Sequence, residues 1–115
     1  MKMNKALQAV GLAMRAGALA LGEEGVLKAV RSGKAKLVLL ASDASVNTAK
    51  KAEDKCRYYK VPIVREFSRA QLGAGTGKGE RVLLAVTDDG LASLVKRQLE
   101  NSAEVTGIEQ TGKQR

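Results

Sequence analysis

Apolar positions at the start of the chain recur with the period of a helix. Leu7, Val10 and Met14 lie at i, i+3 and i+7, the spacing that places side chains on one helical face. Asn4 precedes them, and asparagine is a good N-cap residue. The pattern predicts a first helix that begins after Asn4 and ends at about Ala16.

Later apolar runs alternate between strand and helix patterns. We predict strands at 18–21, 37–41, 61–65 and 82–86, and helices at 23–32, 46–59, 69–72 and 89–99. The unbroken aliphatic run 37–41 indicates a strand buried on both faces, and Pro62 is tolerated at an edge strand. Alternating helices and strands predict a three-layer α/β/α sandwich with a central four-stranded mixed sheet. Residues 1–99 would form a single domain, and residues 100–115, which lose periodicity, a frayed C-terminal tail.

Composition then narrows the choice of partners and compartment. The chain has 44% hydrophobic residues, enough for a core, and its net charge of +8 indicates an anionic partner, most often nucleic acid or an anionic membrane surface. Cys56 is the only cysteine, which suits a reducing compartment. No apolar run reaches the ~20 residues of a membrane span, and Gln8 and Arg15 interrupt the N-terminal run that would otherwise resemble a signal peptide. We therefore expect a cytoplasmic protein without a membrane partner.

The chain lacks most of the residue types that catalytic sites commonly use. The chain has no histidine and one cysteine, so a histidine base or a zinc cluster cannot form. Asp88 and Asp89 are explained more simply by a helix N-cap than by an acid pair. A neighbouring Lys55 or Arg57 would lower the pKa of Cys56, but without a base or a nucleophile motif an inert thiol is the stronger interpretation. We predict no enzymatic activity, no cofactor and no metal.

A glycine-dense segment, 73–79, invites a phosphate-loop interpretation. The required spacing fails, because position 72 is leucine and Lys78 is followed by Gly79 rather than by serine or threonine. The dinucleotide fingerprint fails as well. We predict instead a mobile surface loop whose backbone can approach a partner closely.

Anion-binding features converge in residues 22–36. A turn at Gly22 opens a helix whose first backbone N–H groups lack partners, and Lys28 and Arg31 follow on that helix. RNA exposes its base edges at bulges and loops, where a helix N-terminus can enter. Lys28 would then reach phosphate, and the carboxylate of Glu24 would accept hydrogen bonds from guanine N1–H and N2–H.

The runs LGEEGVLKAVRSGKAKLVLLASDAS and VPIVREFSRAQLGAGTGKGERVLLAV resemble the kink-turn-binding ribosomal protein superfamily of the L7Ae and L30e type, in its small bacterial members. The resemblance covers about residues 4–99. It implies an α/β/α sandwich that binds kink-turns or similar internal loops with tandem sheared G·A pairs. The family motif is Gly-x-Asn-Glu-x-x-Lys. Gly22 and Lys28 match its ends, whereas its Asn and Glu places hold Glu24 and Gly25.

A second contact of the family comes from the loop before the last strand, which is charged in this chain, so that Lys78 and Arg81 would meet phosphate. The predicted RNA-binding residues are therefore Gly22, Glu23, Glu24, Gly25, Lys28, Arg31, Lys78, Gly79, Glu80 and Arg81. The resulting hypothesis is a non-enzymatic, ribosome- or ribonucleoprotein-associated RNA-binding protein, with ribosomal RNA and ribosomal or other proteins as possible partners. A protein-interaction module on the same fold is the alternative, and a small RNA-modifying enzyme is a weaker third.

Overall fold

A computed structural model describes the backbone of residues 4–108 and the side chains of residues 4–100. The elements are α1 (Lys5–Arg15), β1 (Leu19–Leu21), α2 (Gly22–Arg31), β2 (Leu37–Leu40), α3 (Val46–Tyr59), β3 (Ile63–Val64), α4 (Arg69–Thr76), β4 (Leu83–Val86) and α5 (Asp89–Ile108). The four strands form one sheet in the order β1-β4-β2-β3. Strand β4 is antiparallel to both β1 and β2, and β2 is parallel to β3. The predicted mixed four-stranded sheet is confirmed, and β3, which follows Pro62, lies at its edge.

Helices cover both faces of the sheet, because β2 supplies apolar side chains to each. Leu37 and Leu39 pack in one cluster with residues of α1, α4 and α5. Val38 and Leu40 pack in the other with residues of α2 and α3. All four side chains are at most 1% exposed, as their continuous aliphatic run predicts. The three-layer α/β/α sandwich is therefore confirmed.

Short-range hydrogen bonds set several of the helix starts. The Asn4 carboxamide oxygen accepts from the Ala6 N–H at 2.6 Å, and the Asp88 carboxylate accepts from the Leu91 N–H at 2.9 Å. Ser68 begins α4 with a complete capping box that it forms with Gln71. Each cap satisfies a backbone donor that the helix itself leaves unpaired.

The prediction of a loop over 73–79 is wrong for residues 73–76, which extend α4 to Thr76. The glycines serve close packing here. A Cβ on Gly11 of α1 would lie 2.9 Å from the Gly75 carbonyl oxygen, so the two helix backbones approach each other where neither residue has a side chain. The Thr76 hydroxyl also donates to the Leu72 carbonyl at 3.0 Å, which helps to close the last turn.

The last helix also differs from the prediction, since α5 continues beyond Leu99 to Ile108. No proline interrupts residues 100–108, so backbone hydrogen bonding can continue although the apolar period fades. The remainder of the predicted tail, 109–115, lies outside the described residues. Within the part of the chain that the structure describes, no helix combines the length and apolarity needed to cross a membrane.

Candidate nucleic-acid interface

Helix α2 begins at a turn that only glycine adopts readily. Gly22 has a φ of +80°, in the left-handed region that costs other residues energy. The preceding Leu21 is extended and makes no side-chain hydrogen bond to the first turn. The first N–H groups of α2 therefore have no side-chain cap and lie at the positive end of the helix dipole.

A second segment, the loop 77–81, is held in place by α4. The Lys78 N–H donates to the Gly73 carbonyl at 2.8 Å, and the Arg81 N–H donates to the Arg69 carbonyl at 3.0 Å. The Arg81 Nε also donates to the Thr76 hydroxyl at 2.8 Å. The loop before β4 is thus a defined turn, and the guanidinium of Arg81 is oriented by α4.

The structure brings these two segments together. A surface depression at the start of α2 is lined by Gly22 and Glu23 on one side and by Glu80 and Arg81 on the other. Antiparallel pairing of β1 with β4 places the two segments side by side, because Leu21 pairs with Leu84. Residues far apart in sequence therefore share one surface. Lys78 and Gly79 are exposed in the same loop but do not line this depression.

The outer face of α2 carries exposed charged side chains, including two cations without ion-pair partners in the described part of the chain. Glu24, Lys28 and Arg31 recur at i, i+4 and i+7 and are exposed, whereas Val26 and Val30 of the same helix are buried. Among the described residues, neither Lys28 nor Arg31 has a carboxylate partner within ion-pair distance. Both cations are therefore available to an anionic ligand.

The two glutamates at the start of α2 have different surroundings. Both line a shallow depression with Leu27 and Arg31, but Glu23 also accepts a hydrogen bond from the Lys51 ammonium of α3 at 2.9 Å, whereas Glu24 is exposed and has no ion-pair partner among the described residues. Glu23 therefore connects two helices, and Glu24 is the carboxylate that faces outward. Sequence reasoning did not include Lys51 in the site, because the lysine is one of several on α3 and its partner is distant in the chain.

Gly25 stands at the place where the motif implied by the resemblance has glutamate. It is exposed, and a Cβ built on it would meet no heavy atom within 4 Å. Its surroundings therefore leave room for a ligand beside Glu24.

Cys56 is excluded as a reactive centre. The side chain is 1% exposed, and burial raises the pKa of the Cys56 thiol to about 11. The possibility that Lys55 or Arg57 lowers this pKa is therefore wrong, since the cost of removing a thiolate from water is the larger effect. Within the described residues, no three side chains of the metal-ligating types gather at one place.

Comparison with known proteins places the chain in a family. The model of the ribosomal protein L7Ae/L30e/S12e/Gadd45 family matches residues 4–96. The chain belongs to this family. The match covers every element from α1 to β4 and the first part of α5, so it includes both segments of the depression.

Relatives of this L7Ae/L30e-family chain include small bacterial proteins. The RNA-binding protein YlxQ of Bacillus subtilis (strain 168) is 56% identical over 84 residues, which are 73% of this chain and 84% of the relative. A solved Bacillus halodurans protein of unknown function has 42% identity and a TM-score of 0.81, and the match covers 84% of this chain and 98% of that one. The Giardia lamblia 15.5kD RNA binding protein has 25% identity and a TM-score of 0.73 over 84% of this chain and 83% of its own.

Proposed function

We propose that this L7Ae/L30e-family protein binds RNA without catalysing a reaction, and that its targets are kink-turns or similar internal loops with tandem sheared G·A pairs. The observation that carries the proposal is the surface around Gly22, where an uncapped helix N-terminus meets the loop 77–81. The cations Lys28 and Arg31, which have no carboxylate partner among the described residues, are exposed further along the same helix. Two of the similar proteins are named as RNA-binding proteins, and the family description is that of ribosomal proteins, which agrees with a non-enzymatic function.

The first turn of α2 would enter the opened groove of the RNA. Its unpaired N–H groups can donate to phosphate or to base acceptors, and the carboxylate of Glu24 can accept from guanine N1–H and N2–H. Lys28 lies one turn further along on the same face and would bind backbone phosphate. Repulsion between Glu24 and phosphate opposes this contact, and the neighbouring cations Lys28 and Arg31 reduce it.

The loop before β4 would bind the RNA from the other side of the depression. Arg81 is held by Thr76 through one nitrogen, which leaves the other guanidinium donors to a phosphate. Lys78 is exposed in the same loop and would bind phosphate beyond the depression. Glu80 lines the depression with Arg81, so the loop 77–81 combines one carboxylate with two cations.

The net charge of +8 would speed the encounter with RNA at low salt. A ribosomal or other ribonucleoprotein RNA is the partner that we infer from the family. The cytoplasmic localisation stays a prediction.

Fluorescence anisotropy with a labelled kink-turn RNA and a fully paired duplex of the same length tests the proposal. We expect tighter binding to the kink-turn, with an affinity that falls as salt rises. Lys28→Glu should weaken binding to all kink-turns and reduce the salt slope by about one. Glu24→Ala should instead change the preference among RNAs that differ at the G·A pairs.

Lys96→Glu is the matched control, because Lys96 is exposed on α5, in the layer on the opposite face of the sheet. It makes the same change in net charge and should preserve most of the binding. Equal affinity for the kink-turn and for the paired duplex would contradict the kink-turn proposal. An equal loss of affinity in Lys28→Glu and Lys96→Glu would show that general charge, not the α2 surface, accounts for binding.

A further inference from the structure

Two of the three aromatic residues of this chain lie together on the surface. Phe67 is buried, whereas Tyr58 is 77% and Tyr59 is 38% exposed. The two tyrosine rings are in edge-to-face contact, with centroids 4.8 Å apart and an interplanar angle of 77°. The core therefore uses one aromatic ring, and the end of α3 presents the other two to solvent.

The tyrosine pair is continuous with the surface around Gly22. Both rings line a depression with Leu27 of α2 and with Lys51 and Lys55 of α3. Leu27 also lines the depression that contains Glu24, and Lys51 pairs with Glu23 at the start of α2. Lys51 and Tyr58 are two helical turns apart, about 10 Å, so a strand that leaves the α2 N-terminus can reach the rings.

Charge in this region favours a polyanion. The carboxylate in the depression, Asp54, is shared by Lys50 at 3.5 Å and Arg57 at 3.1 Å. Lys51 is occupied by Glu23. Among the described residues, Lys55 has no carboxylate partner. An unpaired ammonium group therefore lies beside exposed aromatic rings, the combination that binds single-stranded nucleic acid. A protein partner is less favoured, because the surroundings are cationic and apolar contact is limited to Leu27 and the two rings.

We propose that Tyr58 stacks on an unpaired nucleobase that flanks the kink-turn, and that Lys55 binds the adjacent phosphate. This inference rests on the proposed function and extends the RNA surface along α2 to the end of α3. The ring of Tyr58 is mostly free, so a base can cover it without displacing a protein contact. Tyr59 contacts this ring edge-to-face. The occupant is single-stranded RNA, since a paired base cannot expose its face to the ring.

The test compares a kink-turn RNA with blunt helices and the same RNA with a single-stranded extension of about five nucleotides placed on each helix end in turn. Wild-type protein should bind one of the extended RNAs more tightly, by about fivefold or more for one stacked base. Tyr58→Ala should remove this gain and leave the affinity for blunt RNA unchanged. Tyr58→Phe should retain it, because the ring and not the hydroxyl makes the contact.

Two further readouts separate stacking from charge. A 2-aminopurine in the extension should lose fluorescence on binding to wild-type protein, and this quenching should be absent with Tyr58→Ala. Lys55→Gln should reduce the salt slope for the extended RNA by about one and preserve the quenching. Leu12→Ala and Lys96→Gln change an exposed apolar and an exposed cationic residue in the opposite helix layer and should leave both readouts at wild-type values.

The outcomes distinguish the two proposals. If wild-type protein binds blunt and extended kink-turns equally, the stacking inference is overturned and the proposed function stands. If the gain persists in Tyr58→Ala, the tyrosine does not stack on the extension, and the stacking inference is overturned. If wild-type protein binds no kink-turn at all, the proposed function fails and the stacking inference fails with it.

Discussion

Gly73→Ala tests how the packing of α4 positions the loop before β4. Alanine is the better helix former, so the change alone would stabilise a helix by about 1 kcal/mol. The structure opposes this gain. A Cβ on Gly73 would lie 2.5 Å from the Gly79 carbonyl oxygen and 2.7 Å from the Glu80 Cα. These are backbone atoms of the loop, so no side chain can rotate away to relieve the contact.

The sign of the stability change in Gly73→Ala follows from the sizes of the helical gain and the overpacking cost. Overpacking of this kind costs about 1–3 kcal/mol, and a clash with backbone belongs in the upper part of that range. After the helical gain is subtracted, Gly73→Ala should destabilise the protein by about 1–2 kcal/mol. A domain of this size loses about 4–8 °C in Tm for each kcal/mol. Because Glu80 and Arg81 line the depression at Gly22, the displaced loop should also weaken RNA binding.

Gly25→Ala provides the matched control, as the same substitution in a helix where a Cβ meets no heavy atom within 4 Å. It should stabilise the protein by about 0.5–1 kcal/mol. Thermal unfolding followed by circular dichroism, with urea titrations at one temperature, measures both variants. If Gly73→Ala raises the Tm as Gly25→Ala does, the loop is not held by close contact with α4, and the reasoning is refuted.

Two further predictions concern titration. Burial raises the pKa of the Cys56 thiol to about 11, above an unfolded value near 8.5, so stability from this group is complete below pH ~8 and is lost as pH rises through ~9 to 11. Urea midpoints of wild-type protein should fall over that interval more than those of Cys56→Ala, and parallel curves would contradict the assignment. The Arg69 N–H donates to the Asp43 carboxylate at 2.9 Å, and this hydrogen bond, together with the nearby guanidinium, holds the pKa of Asp43 below its usual value. The stabilisation is present above the unfolded pKa of ~3.9 and is lost as pH falls through the lower folded value, so the stability difference between wild-type protein and Asp43→Asn should narrow in acid. A difference that stays constant down to pH ~2 would exclude this effect.

Much of the fold could be predicted from the sequence, because its signals are local. The period of Leu7, Val10 and Met14 and the cap at Asn4 predict α1 without knowledge of its neighbours. The aliphatic run 37–41 predicts a strand covered on both faces, and β2 is such a strand. The family could also be recognised from the sequence, because the family model matches the order of residues along positions 4–96. The positions of Gly22 and Lys28 in the motif could likewise be recognised from their spacing.

Other features were decided only by tertiary structure, since they depend on which surfaces meet. The glycines at 73 and 75 indicated a loop, yet they belong to α4, where the absence of a Cβ permits close backbone contact. The pairing of Glu23 with Lys51 joins residues on different helices.

The strand order was likewise decided only by tertiary structure. It places β1 beside β4 and thereby brings residues 22–23 next to 80–81. Periodicity and capping report the conformation of a few consecutive residues, whereas a binding surface is assembled from segments that only the folded sheet and its helices bring together.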